Sequence, residues 1–203
     1  MAVTSILCSI IKAMIFGRKL FNRKNSDHKH LNKAITLNSI KAEVDRNAKL
    51  ISASGNYLPT YGYSRDLGYS HVEVDRKGLL HYVIVDERGQ ERERKTTGNL
   101  IELLFWIFDG VTFSMASDYE RTNRIETQDC RRLLFVKQEE LLGIIDKNWK
   151  EVKQKEHEEI LKRNPFDDLA SLRATYYREL RGKGYSESEI DQLAYEKYPK
   201  TNN

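Results

Sequence analysis

The stretch LLHYVIV, Leu79–Val85, is nearly apolar throughout and decides the fold together with a second apolar run. A strand that is apolar on both faces is typical of the middle of a sheet covered on both sides. The second run, LIELLFWIF at Leu100–Phe108, places apolar side chains around the whole circumference of a helix. Such a helix belongs to a core, and a run of nine or ten residues is too short to cross a bilayer. The two runs predict a strand and a helix at the centre of the fold.

Two further strands accompany the central one. His71–Val74 alternates between polar and apolar residues, and a turn at Arg76–Gly78 leads into the central strand. Glu87–Gln90 then reverses the chain, with a glycine available for a positive φ. The third strand, Gln90–Lys95, is charged on both faces, which is typical of a sheet edge, where charge discourages pairing with other chains. These segments predict an antiparallel β-meander of about three strands.

The other segments of the chain are predicted to be helical. Before the meander, an amphipathic pattern begins near Asn38 and ends before Gly55. After Gly110 the pattern predicts only helices: Val111–Arg124, Asp129–Lys162 as one helix or a broken pair, Asp167–Arg181, and a last helix that opens with the capping box Ser186–Glu189 and stops at Pro199. The predicted fold class is therefore α+β, with a small antiparallel β-meander packed on a buried central helix and followed by a helical C-terminal half.

Charge is distributed unevenly along the chain. The formal net charge is +4 over 203 residues, but residues 1–38 hold seven Lys and Arg against Asp27 alone. The remainder is therefore faintly acidic, and the basic character belongs to the N-terminal segment. We expect three parts: a basic and apolar extension over residues 1–37 that is poorly packed, an α+β domain over residues 38–166, and a C-terminal helical pair over residues 167–203.

The N-terminal extension leaves two interpretations open. Met1–Phe16 lacks the leading positive charges and cleavage site of a secretory signal, and Lys12 interrupts an apolar stretch already shorter than a membrane span. One interpretation is a poorly packed extension, or a start codon placed too early. The other is an interfacial helix, because apolar residues recur at helical spacing from Val3 to Met14 and the basic pair Arg18 and Lys19 follows.

The sequence offers no catalytic constellation. Cys8 and Cys130 lie far apart without metal or redox spacing, which favours reduced thiols in a reducing compartment such as the cytoplasm. No two histidines are spaced as ligands on one helical face; His81 is interpreted as a hydrogen-bonded core residue and His157 as part of a charged helix. Nucleophile, phosphate-binding, dinucleotide and calcium motifs are missing from the sequence. We therefore predict no catalytic, cofactor-binding or metal-binding residues, and no enzyme.

Specific nucleic-acid binding is not predicted either. The last two helices superficially resemble a helix-turn-helix, but the second carries four carboxylates against Lys197 alone. Phosphate would repel such a helix. Only the basic extension is suited to nucleic acid, and then without specificity.

Two polar regions are candidates for binding. Ser54–Tyr63 is rich in turn residues and holds three tyrosines, which either fold back onto the domain or are exposed for a partner. Asp118–Arg124 and Asp129–Arg132 mix carboxylates with arginines. Opposite charges this close keep both groups ionised, which is unsuited to a general acid near neutral pH. The cluster is either an ion-paired network that joins the Val111 helix to the next helix, or an exposed recognition patch.

An ordered set of short motifs resembles a known family. The set comprises Tyr57–Gly62, His81–Val83 with Glu87–Gly89, Leu103–Ile107, Ala116–Glu120 with Asn123-Arg124, Asp129–Arg132 and Gln138–Leu142. Together these motifs resemble the immunity proteins of bacterial polymorphic toxin systems, family sixty-three of that numbered series. The resemblance spans roughly Asn38 to Phe166, and its weight lies in the order of the motifs.

The resemblance implies a stoichiometric inhibitor. Such a cytoplasmic protein is made beside a toxin and occludes the toxin's C-terminal domain, which protects the producing bacterium. It needs no cofactor and no small-molecule substrate. Because such complexes rely on steered association and a few aromatic or charged anchors, we select as candidate partner-binding residues Tyr61, Tyr63, Asp118, Glu120 and Arg121. The alternative function is a membrane-surface scaffold or interaction protein, anchored by the amphipathic segment within residues 1–37.

Overall fold

The computed structural model describes residues 35–65 and 68–200. Its elements in chain order are helix α1 (Leu37–Leu50), a 3₁₀ turn (Gly55–Tyr57), strands β1 (Thr60–Tyr61), β2 (Ser70–Val74), β3 (Leu80–Val85) and β4 (Glu91–Thr97), and helices α2 (Leu100–Thr122), α3 (Cys130–Ile145), α4 (Lys147–Arg163), α5 (Ala170–Gly182) and α6 (Glu187–Lys197). The predicted α+β class with a helical C-terminal half is confirmed. The prediction for the N-terminal extension falls almost entirely outside the described residues.

The sheet contains the predicted meander and one additional strand. Its strand order is β1-β2-β3-β4, with antiparallel pairing of β2 with β3 and of β3 with β4. The charged strand β4 lies at the edge, as its sequence predicts. The short strand β1 pairs in parallel with β2, with Thr60 opposite His71, so the sheet is mixed. A strand of only two residues is too short to show alternation of polar and apolar side chains, which is why the sequence pattern did not predict β1.

The predicted strand and helix do lie at the centre of the main apolar cluster. Leu80 and Tyr82 of β3 pack there with Leu103 and Phe108 of α2. The indole of Trp149, from α4, closes the cluster on another side, with its ring centroid 6.2 Å from that of Phe108. We call this cluster, to which α1 and β2 also contribute, the central core.

Helix α2 runs without interruption through Gly110, so the prediction of separate helices on either side of this glycine is wrong. A Cβ atom at Gly110 would lie 2.9 Å from the hydroxyl oxygen of Tyr82. The missing side chain therefore allows α2 to approach β3 closely. Within the described part of the chain, this 23-residue helix alone is long and apolar enough to cross a membrane by length and composition. Its buried residues, from Leu103 to Val111, belong to the central core.

Helices α3 and α4 meet at a single residue, Asp146, so the sequence alternative of a broken pair is the correct one. The Asp146 amide donates to the carbonyl of Leu142 at 2.8 Å and ends α3. Its carboxylate accepts from the amide of Asn148 at 2.7 Å and begins α4. One aspartate thus satisfies backbone groups of both helices.

The last two helices, α5 and α6, form what we call the C-terminal hairpin. The predicted capping box is present, with Ser186 and Glu189 bonded to each other's backbone amides. The buried apolar residues of the hairpin are Leu180, Ile190 and Ala194, and they belong neither to the central core nor to the smaller cluster of Ala116, Leu134 and Phe135. The division of the chain between residues 166 and 167 remains a prediction.

Candidate functional site

The structure joins the two candidate binding regions through Tyr57. This residue lies in the 3₁₀ turn, and its hydroxyl donates to Oδ2 of Asp118 on α2 at 2.6 Å. The same carboxylate accepts from the Arg121 guanidinium at 2.8 Å through Oδ1. The hydrogen bond to Asp118 is the main cause of the raised pKa of Tyr57. The hydroxyl therefore keeps its proton and donates a hydrogen bond to the carboxylate. We call Tyr57, Asp118 and Arg121, together with Tyr63 further along the same loop, the tyrosine–aspartate surface.

The two tyrosines selected from this loop have different environments. Tyr63 is 62% exposed, and its carbonyl accepts a hydrogen bond from the Thr60 hydroxyl. Tyr61 is half-buried on β1 and packs against the central core. Its hydroxyl is buried without a hydrogen-bond partner among the described residues. Burial, with a smaller contribution from Asp45, raises the pKa of Tyr61. Tyr63 is therefore better placed to meet a partner.

The charged residues selected on α2 also differ in access. The side chains of Arg121 and Asp118 are 73% and 44% exposed. Glu120 is only 5% exposed, and its two oxygens accept hydrogen bonds of 2.8 and 2.7 Å from Arg124. Asp118 and Arg121 therefore face solvent beside Tyr57, whereas Glu120 is buried and paired with Arg124, just after the end of α2. Partner binding by all five selected residues remains a prediction.

The second half of the polar cluster is an ion-paired network, but it does not join the Val111 segment to the next helix. It connects the start of α3 to the chain after α4. Oδ2 of Asp129 accepts from the Asp167 amide at 2.8 Å, and Oδ1 of Asp168 accepts from the Asp129 amide at 2.9 Å. Arg132 donates to both oxygens of Asp168, at 2.7 and 2.9 Å. We call Asp129, Arg132, Asp167, Asp168 and Arg173 the charged clasp.

Arg173 extends the clasp into the C-terminal hairpin. It is 6% exposed and donates to Asp167 at 2.7 and 3.1 Å and to the carbonyl of Tyr198 at 2.8 Å. At Asp129, burial alone would raise the pKa, but hydrogen bonds from Arg131 and the Asp167 amide outweigh it and lower the pKa. The pKa of Asp168 is also lowered, mainly by its hydrogen bond from Arg132. Asp129 and Asp168 thus stay ionised near neutral pH and act as structural anchors.

A buried polar network that was not predicted from the sequence lies between α2, α3 and α4. Lys153 is 7% exposed, and its Nζ lies 2.5 Å from Oδ1 of Asp109 and 2.5 Å from Oε2 of Glu156. Burial alone would lower the pKa of Lys153, but the two carboxylates outweigh it and raise the pKa. Gln138 donates to the same Asp109 oxygen at 3.0 Å. Because α4 carries many charged residues, its sequence does not indicate which of them face inward. Lysine is rarely buried in proteins unless it is paired, so Lys153 is an exception that the sequence pattern does not predict.

His157 belongs to this buried layer and is not a surface residue of a charged helix. It is 5% exposed, and its ring stacks on Phe135 with centroids 3.8 Å apart and planes 6° from parallel. Its Nδ1 lies 2.7 Å from Oε1 of Glu139. Burial lowers the pKa of His157, against the opposing effect of Glu139. The imidazole is therefore neutral near pH 7 and donates from Nδ1, because an ionised carboxylate can only accept.

A groove lies beside this histidine, and we call it the α3–α4 groove. Its lining includes Phe135, Val136, Glu139, His157, Leu161 and Phe166. Within residues 35–65 and 68–200, no group of three or more His, Cys, Asp and Glu side chains is arranged to hold a metal ion. The tyrosine–aspartate surface and the α3–α4 groove are two candidate binding features of the described residues.

Comparison with known proteins gives one finding on identity. Residues 77–159 match the model of a family described as Immunity protein 63. The matched segment begins at the turn before β3 and ends within α4, so it includes Asp118 and Arg121 but not Tyr57 or Tyr63. No curated protein and no solved structure matches the chain significantly. The resemblance seen in the sequence motifs is therefore confirmed for residues 77–159, and the match does not extend over residues 38–76 or 160–166.

Proposed function

We propose that this chain, an immunity protein by its family match over residues 77–159, binds and neutralises the C-terminal domain of a cognate polymorphic toxin. The family match is the observation that carries the proposal. Inhibition is stoichiometric: one immunity protein covers the active site or a substrate surface of one toxin domain. The protein acts in the cytoplasm of the producing bacterium, and it acts by binding, not by catalysis. The alternative of a membrane-anchored scaffold depends on residues 1–37, and nothing in the described part of the chain favours it.

The tyrosine–aspartate surface supports a binding function. Hydrogen bonds from Tyr57 and Arg121 hold the Asp118 carboxylate in place before any partner arrives. A pre-organised side chain loses less conformational entropy on association, which favours affinity. Tyr63 and Arg121 are exposed and belong to residue types that dominate the energy of protein interfaces. Charges of both signs on one surface contribute to the choice of partner and to the rate of association more than to affinity.

The decisive experiment is co-expression with a toxin domain. The gene next to that of this chain should encode a large secreted protein with a variable C-terminal domain. Expressing that domain alone should arrest growth, and adding this chain should restore growth and yield a one-to-one complex on purification. If the chain neither restores growth nor co-purifies with the domain, the proposed function is wrong.

Variants of the tyrosine–aspartate surface test its place in the complex. Replacing an interface anchor with alanine costs about 2 kcal/mol or more, roughly a thirtyfold loss of affinity. We expect Tyr63→Ala and Arg121→Ala each to reach that loss in calorimetric titration with the toxin domain. Tyr185→Ala is the control, because Tyr185 is also exposed, at 44%, but precedes α6 in the C-terminal hairpin. Equal affinity of all three variants would exclude this surface from the interface and leave the proposed function standing.

A further inference from the structure

The α3–α4 groove has the dimensions of a site for one side chain. Its volume is about 210 Å³, whereas pockets for small molecules and cofactors usually enclose roughly 300 Å³ or more. Protein interfaces, in contrast, often seat a single anchor side chain from the partner in a pocket of the other protein. The size of the groove therefore favours a protein partner over a metabolite.

The walls of the groove are apolar and partly aromatic. Phe135, Leu161 and Phe166 line it, and Val136 stands at its rim, where it is 65% exposed. Phe135 is fixed by its stacking on His157, and Phe166 lies in the same small apolar cluster. Such walls suit the methylene stem of a long side chain. The Arg132 guanidinium already lies over the Phe166 ring, 4.1 Å from its centroid.

The polar groups of the groove carry an excess of negative charge. Glu139 and Glu158 contribute carboxylates, and Arg132 contributes the guanidinium. Arg132, however, is already paired with Asp168 through hydrogen bonds of 2.7 and 2.9 Å. Glu139 is 18% exposed and accepts one hydrogen bond at each oxygen, from His157 and from Gln154. A carboxylate has about four acceptor positions, so Glu139 retains capacity for a further donor.

The neutral imidazole of His157 strengthens the preference of the groove for hydrogen-bond donors. Because Nδ1 of His157 donates to Glu139, Nε2 carries no proton and is an acceptor. Lys153, a buried cation one helical turn before His157, is held by Asp109 and Glu156 and leaves the charge of Glu139 unmatched. The groove thus combines acceptors with aromatic walls, and its lining offers no uncompensated positive charge.

We propose that the α3–α4 groove receives an arginine side chain of the partner protein. The guanidinium binds Glu139, and its stem passes Val136 along the apolar wall. Arginine fits better than lysine because its planar fork matches a carboxylate, whereas an ammonium is more strongly hydrated. The identity of the partner as a toxin domain rests on the proposed function, but the preference of the groove for arginine does not.

The first test uses the full chain and small probes, without any toxin. N-acetyl-arginine amide is titrated into the protein, and amide and His157 ring resonances are followed by NMR. N-acetyl-lysine amide and the uncharged N-acetyl-citrulline amide are the matched controls. We expect shift changes confined to residues of the groove, several-fold weaker binding of the lysine probe and none of the citrulline probe. Shifts elsewhere on the protein, or equal binding of any two probes, would overturn the proposal.

The second test uses the toxin domain and the variant Glu139→Gln. The amide keeps an acceptor for His157 and removes the charge. Loss of one member of a desolvated charge pair should weaken toxin binding by about thirtyfold, mostly through faster dissociation. Glu140→Gln is the control, because this neighbouring carboxylate is 54% exposed and paired with Lys137. A second variant, Val136→Lys, adds a positive charge at the exposed rim without touching the buried network and should also weaken binding.

The outcomes separate the two proposals. If the wild-type chain does not bind the toxin domain, the proposed function fails, and the probe titration alone decides the groove. If the wild-type chain binds and Glu139→Gln and Val136→Lys bind as well as Glu140→Gln, the groove proposal is overturned while the proposed function stands.

Discussion

The central core and the C-terminal hairpin are held in place by different forces. The central core joins a sheet and four helices, α1 to α4, through apolar side chains, several of which are completely buried. The hairpin buries three apolar residues of its own and is tied to the start of α3 mainly through the charged clasp. Apolar burial is non-directional and scales with area, whereas hydrogen-bonded charges fix geometry and respond to pH and salt. We therefore expect the position of the hairpin to depend on salt and on acid strong enough to protonate Asp129 and Asp168.

The largest effect is expected from Phe108→Ala in the central core. Phe108 is 0% exposed and stacks against Trp149, so its truncation leaves a cavity and should cost about 3–5 kcal/mol in the free energy of unfolding. Ile101→Ala on the same helix is the control, because Ile101 is 49% exposed and should cost well below 1 kcal/mol. Denaturant unfolding measures both. Similar losses for the two variants would show that α2 is not the centre of the core.

Asp129→Ala should release the hairpin while the sheet stays folded. The change removes the acceptor of the Asp167 amide and of Arg131 and also the N-cap of α3. We expect the amides of α5 and α6 to lose about 2–3 kcal/mol of protection in hydrogen exchange. The amides of β3 should change much less. Glu196→Ala, an exposed carboxylate within the hairpin, serves as the control, and equal loss of protection in β3 and the hairpin would show that the two regions unfold as one unit.

Acid should affect the buried layer around His157 before it affects the charged clasp. The folded-state pKa of His157 lies below its ordinary value of about 6.5, so the unfolded chain takes up this proton first and stability falls as the pH drops below roughly 6.5. The folded-state pKa values of Asp129 and Asp168 are also lowered. Their contribution is present above the ordinary carboxylate pKa of about 4 and is lost only as the pH falls below it. Unfolding followed from pH 7 to 4 should therefore show a decline that His157→Gln flattens, and an unchanged slope in that variant would contradict the burial of His157.

The smallest effects come from two glycines, for which alanine should act with opposite signs. Gly110→Ala brings a Cβ atom to 2.9 Å from the buried Tyr82 hydroxyl, and overpacking of this kind costs about 1–2 kcal/mol. Gly182→Ala, at the end of α5, meets nothing within 4 Å and should gain up to about 1 kcal/mol from helix propensity. Thermal unfolding of both variants measures the contrast. Stabilisation by Gly110→Ala would mean that α2 does not approach β3 this closely.

The main elements of the fold could be predicted from the sequence because their apolar residues recur at regular spacing or because turn and capping residues mark their ends. The apolar run of β3, the charged edge strand β4 and the capping box before α6 all lie where they were predicted. The error at Gly110 has a physical cause: a helical glycine costs only about 1 kcal/mol, and close packing on Tyr82 outweighs that cost. Local propensity therefore misplaces a helix boundary when tertiary contacts decide it.

The candidate site was less accessible to prediction. The sequence indicates that tyrosines and charged residues cluster, but not that Tyr57 bonds to Asp118, 61 positions away in the chain. Nor does it show that Glu120 is buried and paired with Arg124 while its neighbour Arg121 is exposed. In the same way, a helix rich in Lys and Glu gives no sign that Lys153 and His157 face inward. Pairings between distant residues depend on how the helices pack, and the pattern of one segment does not contain that information.

The shared residue Asp146 has a consequence for how this protein tolerates insertions and deletions. Consecutive residues of an α-helix are separated by about 100° of rotation, and no linker stands between α3 and α4 to absorb a change in length. One residue added at the joint would turn Trp149, Lys153 and His157 away from their partners together. Variation in chain length among homologous sequences should therefore concentrate in the loop between β1 and β2 and avoid residues 145–147.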